Sequence, residues 1–303
     1  MPDGHMTQTT HSRTVQTRAR TRRRPSTLFK AVNLGARMLS RVAPPVAARV
    51  LQRIFFTPQK NPMPEREVNW MKGAETWRVQ FDEKRSLPLY AWGTGPTVLL
   101  VHGFSGRGSQ MGAFIAPLLA AGYRVVIFDA PAHGDADGKQ TALPEIAMAV
   151  LKVAEHLGPL SACIAHSIGT AATTIALTRG LDCERVVYIA PPEYMGVYLQ
   201  KAAKMIGFST AVVGRVRDSI EARYGMAFEA IRGTNLAPGM KVPALLIHDR
   251  KDTMVSIDDS RTLMRHWPGA MLVETEGLGH VRILRDTKVV AGAVEFVTGV
   301  AKP

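Results

Sequence analysis

Cysteine is scarce in this sequence, since only Cys163 and Cys183 occur among its 303 residues. Neither belongs to a CxxC pair, and no histidines cluster beside them. A disulfide framework or a structural zinc site would need several such residues at short spacing. We therefore expect a protein of a reducing compartment, cytoplasmic by preference, that requires no metal and no cofactor.

Long apolar runs are also lacking. The most apolar N-terminal stretch is interrupted by Arg37, Arg41 and the pair Pro44 and Pro45. A membrane-spanning helix needs about 20 consecutive apolar residues. The sequence therefore predicts a protein that is soluble or bound only at a membrane surface.

Acidic residues are almost absent from the first 60 positions, which hold twelve Lys or Arg and only Asp3. This segment thus carries +11 of the formal net charge of +13. Such asymmetry assigns the basic character to an appendage and not to the main domain. The basic residues lack interleaved aromatics and form no known recognition module, so we do not expect a nucleic-acid partner.

The N-terminal region divides into two parts. Residues 1–25 are rich in Thr and Arg and poor in large apolar side chains, which predicts a disordered basic tail. Residues 26–60 form an extension with apolar residues at helical spacing, which predicts amphipathic helices over 28–42 and 46–55, separated by prolines. Two alternatives remain for these helices: they pack on the main domain, which we prefer, or residues 26–56 contact a membrane surface peripherally.

Residues 61–303 have the pattern of an α/β domain. Short Val/Ile/Leu runs, such as those at 97–102 and 161–166, alternate with helical segments of ten or more residues, two of which are predicted over 109–121 and 282–300. This alternation predicts a mostly parallel central sheet with helices on both faces. The pattern lapses at about 193–238, where apolar helical segments without strands predict a small helical cap inserted between two strands.

Ser167 lies at a predicted strand-to-helix junction, in the stretch Ala165-His166-Ser167-Ile168-Gly169. Small residues two positions before and after a serine let strand and helix approach closely while the hydroxyl projects outward. The alternative is a serine that merely caps the helix. A nucleophilic serine also needs a base and an acid that orients it, and His280 and Asp252 both follow predicted core strands.

The stretch from residue 97 to 297 resembles the α/β-hydrolase family in five motifs that occur in the family's order. They are His102-Gly103-Phe104, the turn from Asp129 to Gly134, the elbow at Ser167, the acid motif from His248 to Val255, and Gly279-His280. The resemblance implies the α/β-hydrolase fold with a catalytic triad of Ser167, Asp252 and His280. It also places an oxyanion hole on the backbone N–H groups of Phe104 and Ile168.

Three other acids compete with Asp252 for the orienting role. Asp249 stands where the family usually has glycine, and Asp258 and Asp259 have the position of acids that favour the N-terminus of the next helix. We therefore prefer Asp252. We expect Asp129 and His133 to brace the loop after their strand.

The predicted site lies beneath an apolar cap, so a mostly apolar pocket is expected. Phe104 and His166 are the predicted substrate contacts. The leading function is hydrolysis of a small to medium, apolar carboxylic ester through an acyl-enzyme. Thioesterase, acyltransferase and carbon–carbon bond hydrolase activities use the same triad and stay open, as does a non-catalytic binding role on this fold. The sequence indicates no oligomeric state.

Overall fold

A computed structural model describes residues 27–299 of the chain, so the tail predicted over residues 1–25 lies outside the described residues. Eight strands form a single sheet with the order β1-β2-β4-β3-β5-β6-β7-β8. The pairs β1–β2 and β2–β4 are antiparallel, and all others are parallel. The strands are β1 Glu75–Gln80, β2 Ser86–Trp92, β3 Thr97–Val101, β4 Arg124–Phe128, β5 Ala162–His166, β6 Val186–Ile189, β7 Ala244–Asp249 and β8 Met271–Thr275.

Helices connect the strands and cover both faces of the sheet, as the sequence predicts. No helix among residues 27–299 is long and apolar enough to cross a membrane. The helices are α1 Thr27–Val42, α2 Pro44–Phe56, α3 Glu65–Trp70, α4 Ile115–Ala120, α5 Leu143–Leu157, α6 Ile168–Thr178, α7 Met195–Ile206, α8 Thr210–Tyr224, α9 Gly233–Leu236, α10 Ile257–His266, α11 Gly279–Arg282 and α12 Thr287–Thr298.

Strand β3 shows why the predicted sheet is buried on both sides. Leu99 and Val101 pack with α5 and α6, whereas Val98 and Leu100 pack with α4 and α12 on the opposite face. Alternate side chains of a strand point to opposite faces, so a run of apolar residues fits a central strand covered on both sides.

Two predicted helices differ from those in the structure. The helix predicted over 109–121 begins as a 3₁₀ segment, Gly108–Phe114, and only then becomes α4. The helix predicted over 282–300 is interrupted at Asp286, whose carboxylate accepts the backbone N–H groups of Lys288 and Val289 and so caps a new helix, α12. The short helix α3 was not predicted.

Helices α7, α8 and α9 lie between β6 and β7, where the cap is predicted, and we call these three helices the cap. Helices α1 and α2 pack against it. Leu51 and Phe56 of α2 are buried together with cap residues such as Leu199 and Val216. The N-terminal helices and the cap thus form one helical layer beside the sheet.

Candidate active site

Ser167 occupies a tight turn between β5 and α6. Its backbone has φ 52° and ψ −126°, a conformation that costs a non-glycine residue free energy. Its backbone N–H donates to the Ile189 carbonyl at 2.9 Å, which ties the turn to β6. A Cβ atom at Gly169 would lie 2.7 Å from the His102 carbonyl oxygen, so only glycine permits this approach of helix and strand. These features give the nucleophile-elbow geometry expected from the sequence.

Three side chains form a hydrogen-bonded series at this turn. The Ser167 hydroxyl lies 3.0 Å from His280 Nε2, and His280 Nδ1 lies 2.6 Å from Asp252 Oδ2. When Nδ1–H donates to the carboxylate, Nε2 has a free lone pair that can accept the serine proton. The structure therefore brings together the three residues of the predicted triad.

Asp252 is held as a charged acceptor. Its side chain is almost fully buried, and Oδ1 accepts the backbone N–H groups of Met254 and Val255. Burial opposes the charged form, but hydrogen bonds from His248 and His280 outweigh it and hold the pKa of Asp252 well below its usual value. The carboxylate thus remains ionised and can stabilise a positive charge on His280.

Asp249 has a different role from Asp252. Its two oxygens accept hydrogen bonds from the Lys251, Gly277 and Leu278 amides and from the Thr275 hydroxyl. It therefore joins the loop after β7 to the turn that leads into α11. This carboxylate fixes the segment that carries His280 without contacting the imidazole.

The other two competing acids also have partners elsewhere. Asp258 lies 3.1 Å from Arg261 at the start of α10. Asp259 accepts the Tyr198 hydroxyl and the Glu193 backbone N–H, which links α10 to the start of the cap. Among the four candidate acids, Asp252 is the one that contacts His280.

The loop after β3 is braced by His133. Ser105 has φ 57°, and its backbone N–H donates to His133 Nε2 at 3.0 Å. The other ring nitrogen, Nδ1, donates to the Pro131 carbonyl. Burial lowers the pKa of His133 to about 3, so the ring stays neutral and keeps this acceptor. Asp129 accepts the Gly108 N–H in the same region and also the Asp135 N–H in the loop after its own strand, β4, where its bracing role is predicted.

His102 is a further brace whose role the sequence did not reveal. Its Nδ1 donates to the Gly103 carbonyl, and its Nε2 accepts the Ala130 N–H at 2.9 Å. Burial lowers the pKa of His102 to about 4 and so favours the neutral ring. This histidine joins the predicted oxyanion loop to the loop after β4. The sequence contains the family motif around His102, but a motif does not show which backbone groups the imidazole ring contacts.

The two predicted oxyanion donors are Ile168, which follows Ser167 in the chain, and Phe104, which lies in the loop after β3. Ile168 is the first residue of α6, where backbone N–H groups have no acceptor within the helix. Phe104 lies in the braced loop, and its ring packs edge-on against His133 at 5.2 Å between centroids. Phe104, Ile168 and Ser167 all line the same cavity. Both residues therefore border the cavity that Ser167 lines, and Phe104 lies where the predicted substrate contact requires it.

His166 lies behind His280 and not along the cavity. Its Nε2 donates to the His280 carbonyl at 2.9 Å, and the two ring centroids are 4.7 Å apart. Burial lowers the pKa of His166 to about 3. Its Nδ1 has no hydrogen-bond partner within residues 27–299. This placement gives no support to the predicted substrate contact of His166, because the ring holds the backbone of His280 instead.

A cavity of about 380 Å³ opens from Ser167 and His280. None of the described residues that line it is Asp, Glu, Lys or Arg. Its wall is therefore uncharged whenever the His280 imidazole is neutral. One wall belongs to α2, which the sequence did not associate with the site. Apolar or aromatic side chains dominate the two facing walls: Leu51, Ile54, Phe55 and Phe56 from α2, and Met195, Tyr198, Met205 and Ile206 from the cap.

The described part of the chain contains no group of three or more His, Cys, Asp or Glu side chains placed to hold a metal ion.

Comparison with known proteins gives one family. A model described as the alpha/beta hydrolase family matches residues 98–293. A search of curated protein sequences finds no significant match.

Solved structures resemble the fold at low sequence identity. An esterase from Pyrococcus furiosus is 20% identical with a TM-score of 0.62, over 80% of this chain and 97% of its own. An esterase from Exiguobacterium antarcticum is 15% identical with a TM-score of 0.58, over 74% of this chain and 99% of its own. A thioesterase domain from the curacin biosynthetic pathway is 17% identical with a TM-score of 0.56, over 75% and 99%.

Proposed function

Since the chain belongs to the alpha/beta hydrolase family, we propose that it hydrolyses carboxylic esters of apolar acyl groups through an acyl-enzyme on Ser167. The observation that carries this proposal is the hydrogen-bonded series Ser167–His280–Asp252 at one end of an uncharged, mostly apolar cavity. Esterases and a thioesterase among the structural neighbours agree with hydrolysis at an acyl carbon, although the likeness itself extends only to the fold.

The reaction begins with attack by Ser167 Oγ on the acyl carbon. The hydroxyl proton passes to His280 Nε2, and the ionised Asp252 stabilises the resulting imidazolium. The oxygen of the tetrahedral intermediate becomes negative and accepts hydrogen bonds from the Phe104 and Ile168 N–H groups. When the carbon–oxygen bond breaks, His280 returns the proton to the leaving alcohol, and the acyl group stays on Ser167.

Water completes the cycle by the same route. His280 removes one proton from water as its oxygen attacks the acyl carbon, and the second tetrahedral intermediate collapses to release the acid and restore the Ser167 hydroxyl. Both halves of the reaction use the same base and the same two donors, so no further residue is needed for proton transfer.

The cavity wall supports the substrate class. An apolar acyl chain would replace water against side chains such as Leu51, Met195 and Phe104. A charged acyl chain would lose its hydration without gaining an ion pair, which costs free energy. We therefore place the substrate among uncharged esters with a small to medium acyl chain.

The test is a panel of p-nitrophenyl esters with acyl chains of two to twelve carbons, each compared with a thioester of the same acid. We expect hydrolysis of uncharged oxygen esters, and labelling by a fluorophosphonate probe that disappears in Ser167→Ala. The variant should lose on the order of 10⁶ in kcat if the three residues act as a unit. Activity of folded Ser167→Ala above a tenth of the original would contradict the proposal, whereas cleavage of thioesters alone would move the reaction to a thioesterase.

A further inference from the structure

Helix α1 exposes the side chains that an amphipathic helix normally buries. The two buried side chains of α1 against the cap and α2 are small, Ala36 and Ser40, and Leu39 packs beside them partly buried. The large residues Leu28 and Val42 are 75% and 83% exposed, and Val32 is also exposed. Isolated exposed apolar residues are common, but a contiguous apolar surface marks a site of interaction.

A single residue separates helix α2 from α1, and α2 carries a second set of exposed apolar side chains. Val46, Val50 and Ile54 recur every four residues and are all exposed, so they form one stripe along the helix. Val42 and Val46 are four residues apart across the junction of the two helices, and both are exposed. We call the exposed side chains of Leu28, Val32, Val42, Val46, Val50 and Ile54 the N-terminal apolar surface.

Basic residues flank this surface without any acid beside them in sequence. Helices α1 and α2 contain five basic residues and no Asp or Glu. All five are exposed, and they are Lys30, Arg37, Arg41, Arg49 and Arg53. Large apolar side chains bordered by Lys and Arg are the pattern of helices that lie in the interface of an anionic membrane.

The N-terminal apolar surface reaches the mouth of the cavity. Ile54 is 50% exposed and Met205 of the cap is 63% exposed, and both also line the cavity. The Asn33 side chain of α1 donates to the Met205 carbonyl, which fixes α1 beside this opening. The surface and the cavity mouth are therefore continuous on one side of the helical layer.

We propose that the N-terminal apolar surface docks on an anionic lipid membrane, with α1 and α2 lying in the interface and the cavity mouth beside it. The apolar side chains enter the acyl region, and the five basic residues lie near the phosphates. The charge of these helices favours anionic lipid over a second copy of the chain as the binding partner. Two such surfaces facing each other would bring ten positive charges together without a counter-ion. The docking does not depend on the reaction proposed for Ser167.

The test is co-sedimentation of the full chain with vesicles of phosphatidylcholine alone, or of phosphatidylcholine and phosphatidylglycerol in a three-to-one ratio. We expect binding to the anionic vesicles that weakens as salt rises from 50 to 500 mM. The triple variant Leu28→Ser, Val32→Ser, Val42→Ser should bind about tenfold or more weakly, because three inserted side chains lose their apolar transfer free energy. None of these three residues lines the cavity, so hydrolysis of a soluble short-chain ester should be unchanged.

A control variant removes three exposed apolar side chains elsewhere on the molecule. Val68→Ser, Met148→Ser and Val273→Ser alter residues of α3, α5 and β8 that are 44–48% exposed, and this variant should bind vesicles like the original chain. Absence of vesicle binding at 50 mM salt would overturn the proposal. Unchanged binding of the Leu28/Val32/Val42 variant would also overturn it, because charge alone would then account for the vesicle binding. A dimer in solution that dissociates in that variant would assign the surface to a second copy and equally overturn it.

Discussion

The Nε2 atom of His166 donates a hydrogen bond to the backbone carbonyl of His280, 2.9 Å away. The side chain of His280 is oriented by Asp252, whereas its backbone is held by a residue that immediately precedes Ser167 in the chain. The base is therefore positioned against the turn that carries the nucleophile, and the separation of Oγ and Nε2 depends on both contacts.

His166→Ala should lower kcat of the proposed reaction by roughly ten- to a hundredfold with little change in KM, because small misplacement of a catalytic group costs about that much. Gln can present a donor near the position of Nε2, so His166→Gln should recover much of the loss. The measurement is kcat and KM for a short-chain ester, with circular dichroism to confirm folding. A loss that appears in KM alone would instead favour the substrate contact that the sequence predicted.

Asp252 and Asp249 should respond differently to removal of their charge. Asp252→Asn should lower kcat by about 10⁴, because the amide favours the wrong tautomer of His280. Asp249→Asn should mainly reduce the free energy of unfolding, by about 1–3 kcal/mol, since it weakens the hydrogen bonds that secure the turn before α11. Steady-state kinetics and urea unfolding of both variants decide the matter, and a larger kinetic loss in Asp249→Asn would reverse the assignment.

The stability of the fold should fall as the pH falls from about 6.5 toward 4. Burial lowers the pKa of His102 to about 4 and those of His133 and His166 to about 3. An unfolded histidine titrates near pH 6.5, so below that pH the unfolded chain binds protons that the folded chain does not. The contribution of these histidines is therefore complete above about pH 6.5 and decreases on acidification, by up to roughly 1.4 kcal/mol per pH unit for each histidine.

Asp252 acts in a lower pH range. Its folded pKa is depressed, so its contribution is complete above the unfolded value near 4 and is lost only below it.

Urea unfolding at pH 7, 6 and 5 measures the effect of the three buried histidines on stability. His133→Asn can preserve the donor at the Nδ1 position. This variant should reduce by about one the number of protons that the chain takes up on unfolding, and so make the free energy of unfolding less dependent on pH. A free energy of unfolding that is constant from pH 7 to 5 would show that these histidines titrate normally in the folded chain.

Local pattern was sufficient to predict most of the sheet. The runs at 97–102 and 161–166 became β3 and β5 because a continuous apolar segment of five or six residues fits a strand buried on both faces. The elbow at Ser167 was visible for a similar reason, since the small residues that it requires are its neighbours in the chain. Resemblance to a family then indicated His280 and Asp252, which the structure places in contact with each other.

Long-range packing was beyond the local pattern. Helical spacing identified α1, but a stripe of apolar residues suggests burial of Leu28 and Val32, whereas the structure buries Ala36 and Ser40. Small residues permit close approach of helices, and which side of α1 packs depends on the shape of the helices that it contacts. The hydrogen bond of His166 was not predicted for the same reason, because its acceptor is the carbonyl of a residue 114 positions away.

The contribution of α2 to the cavity gives a prediction about acyl length, which depends on the proposed function. Ile54 lines the cavity near its mouth, whereas Val50, one turn earlier on the same exposed stripe, does not belong to the lining. Ile54→Trp should therefore narrow the cavity and lower kcat/KM for esters of eight or more acyl carbons by about tenfold, while acetate esters react as before. An effect of this size corresponds to about 1.4 kcal/mol. This lies within the roughly 1–3 kcal/mol by which a hydrophobic pocket discriminates between substrates that differ by one methylene group. Val50→Trp is the matched control and should leave the chain-length profile unchanged. If both variants shift the profile equally, the change acts through the exposed surface of α2, and Ile54 does not set the length of the acyl pocket.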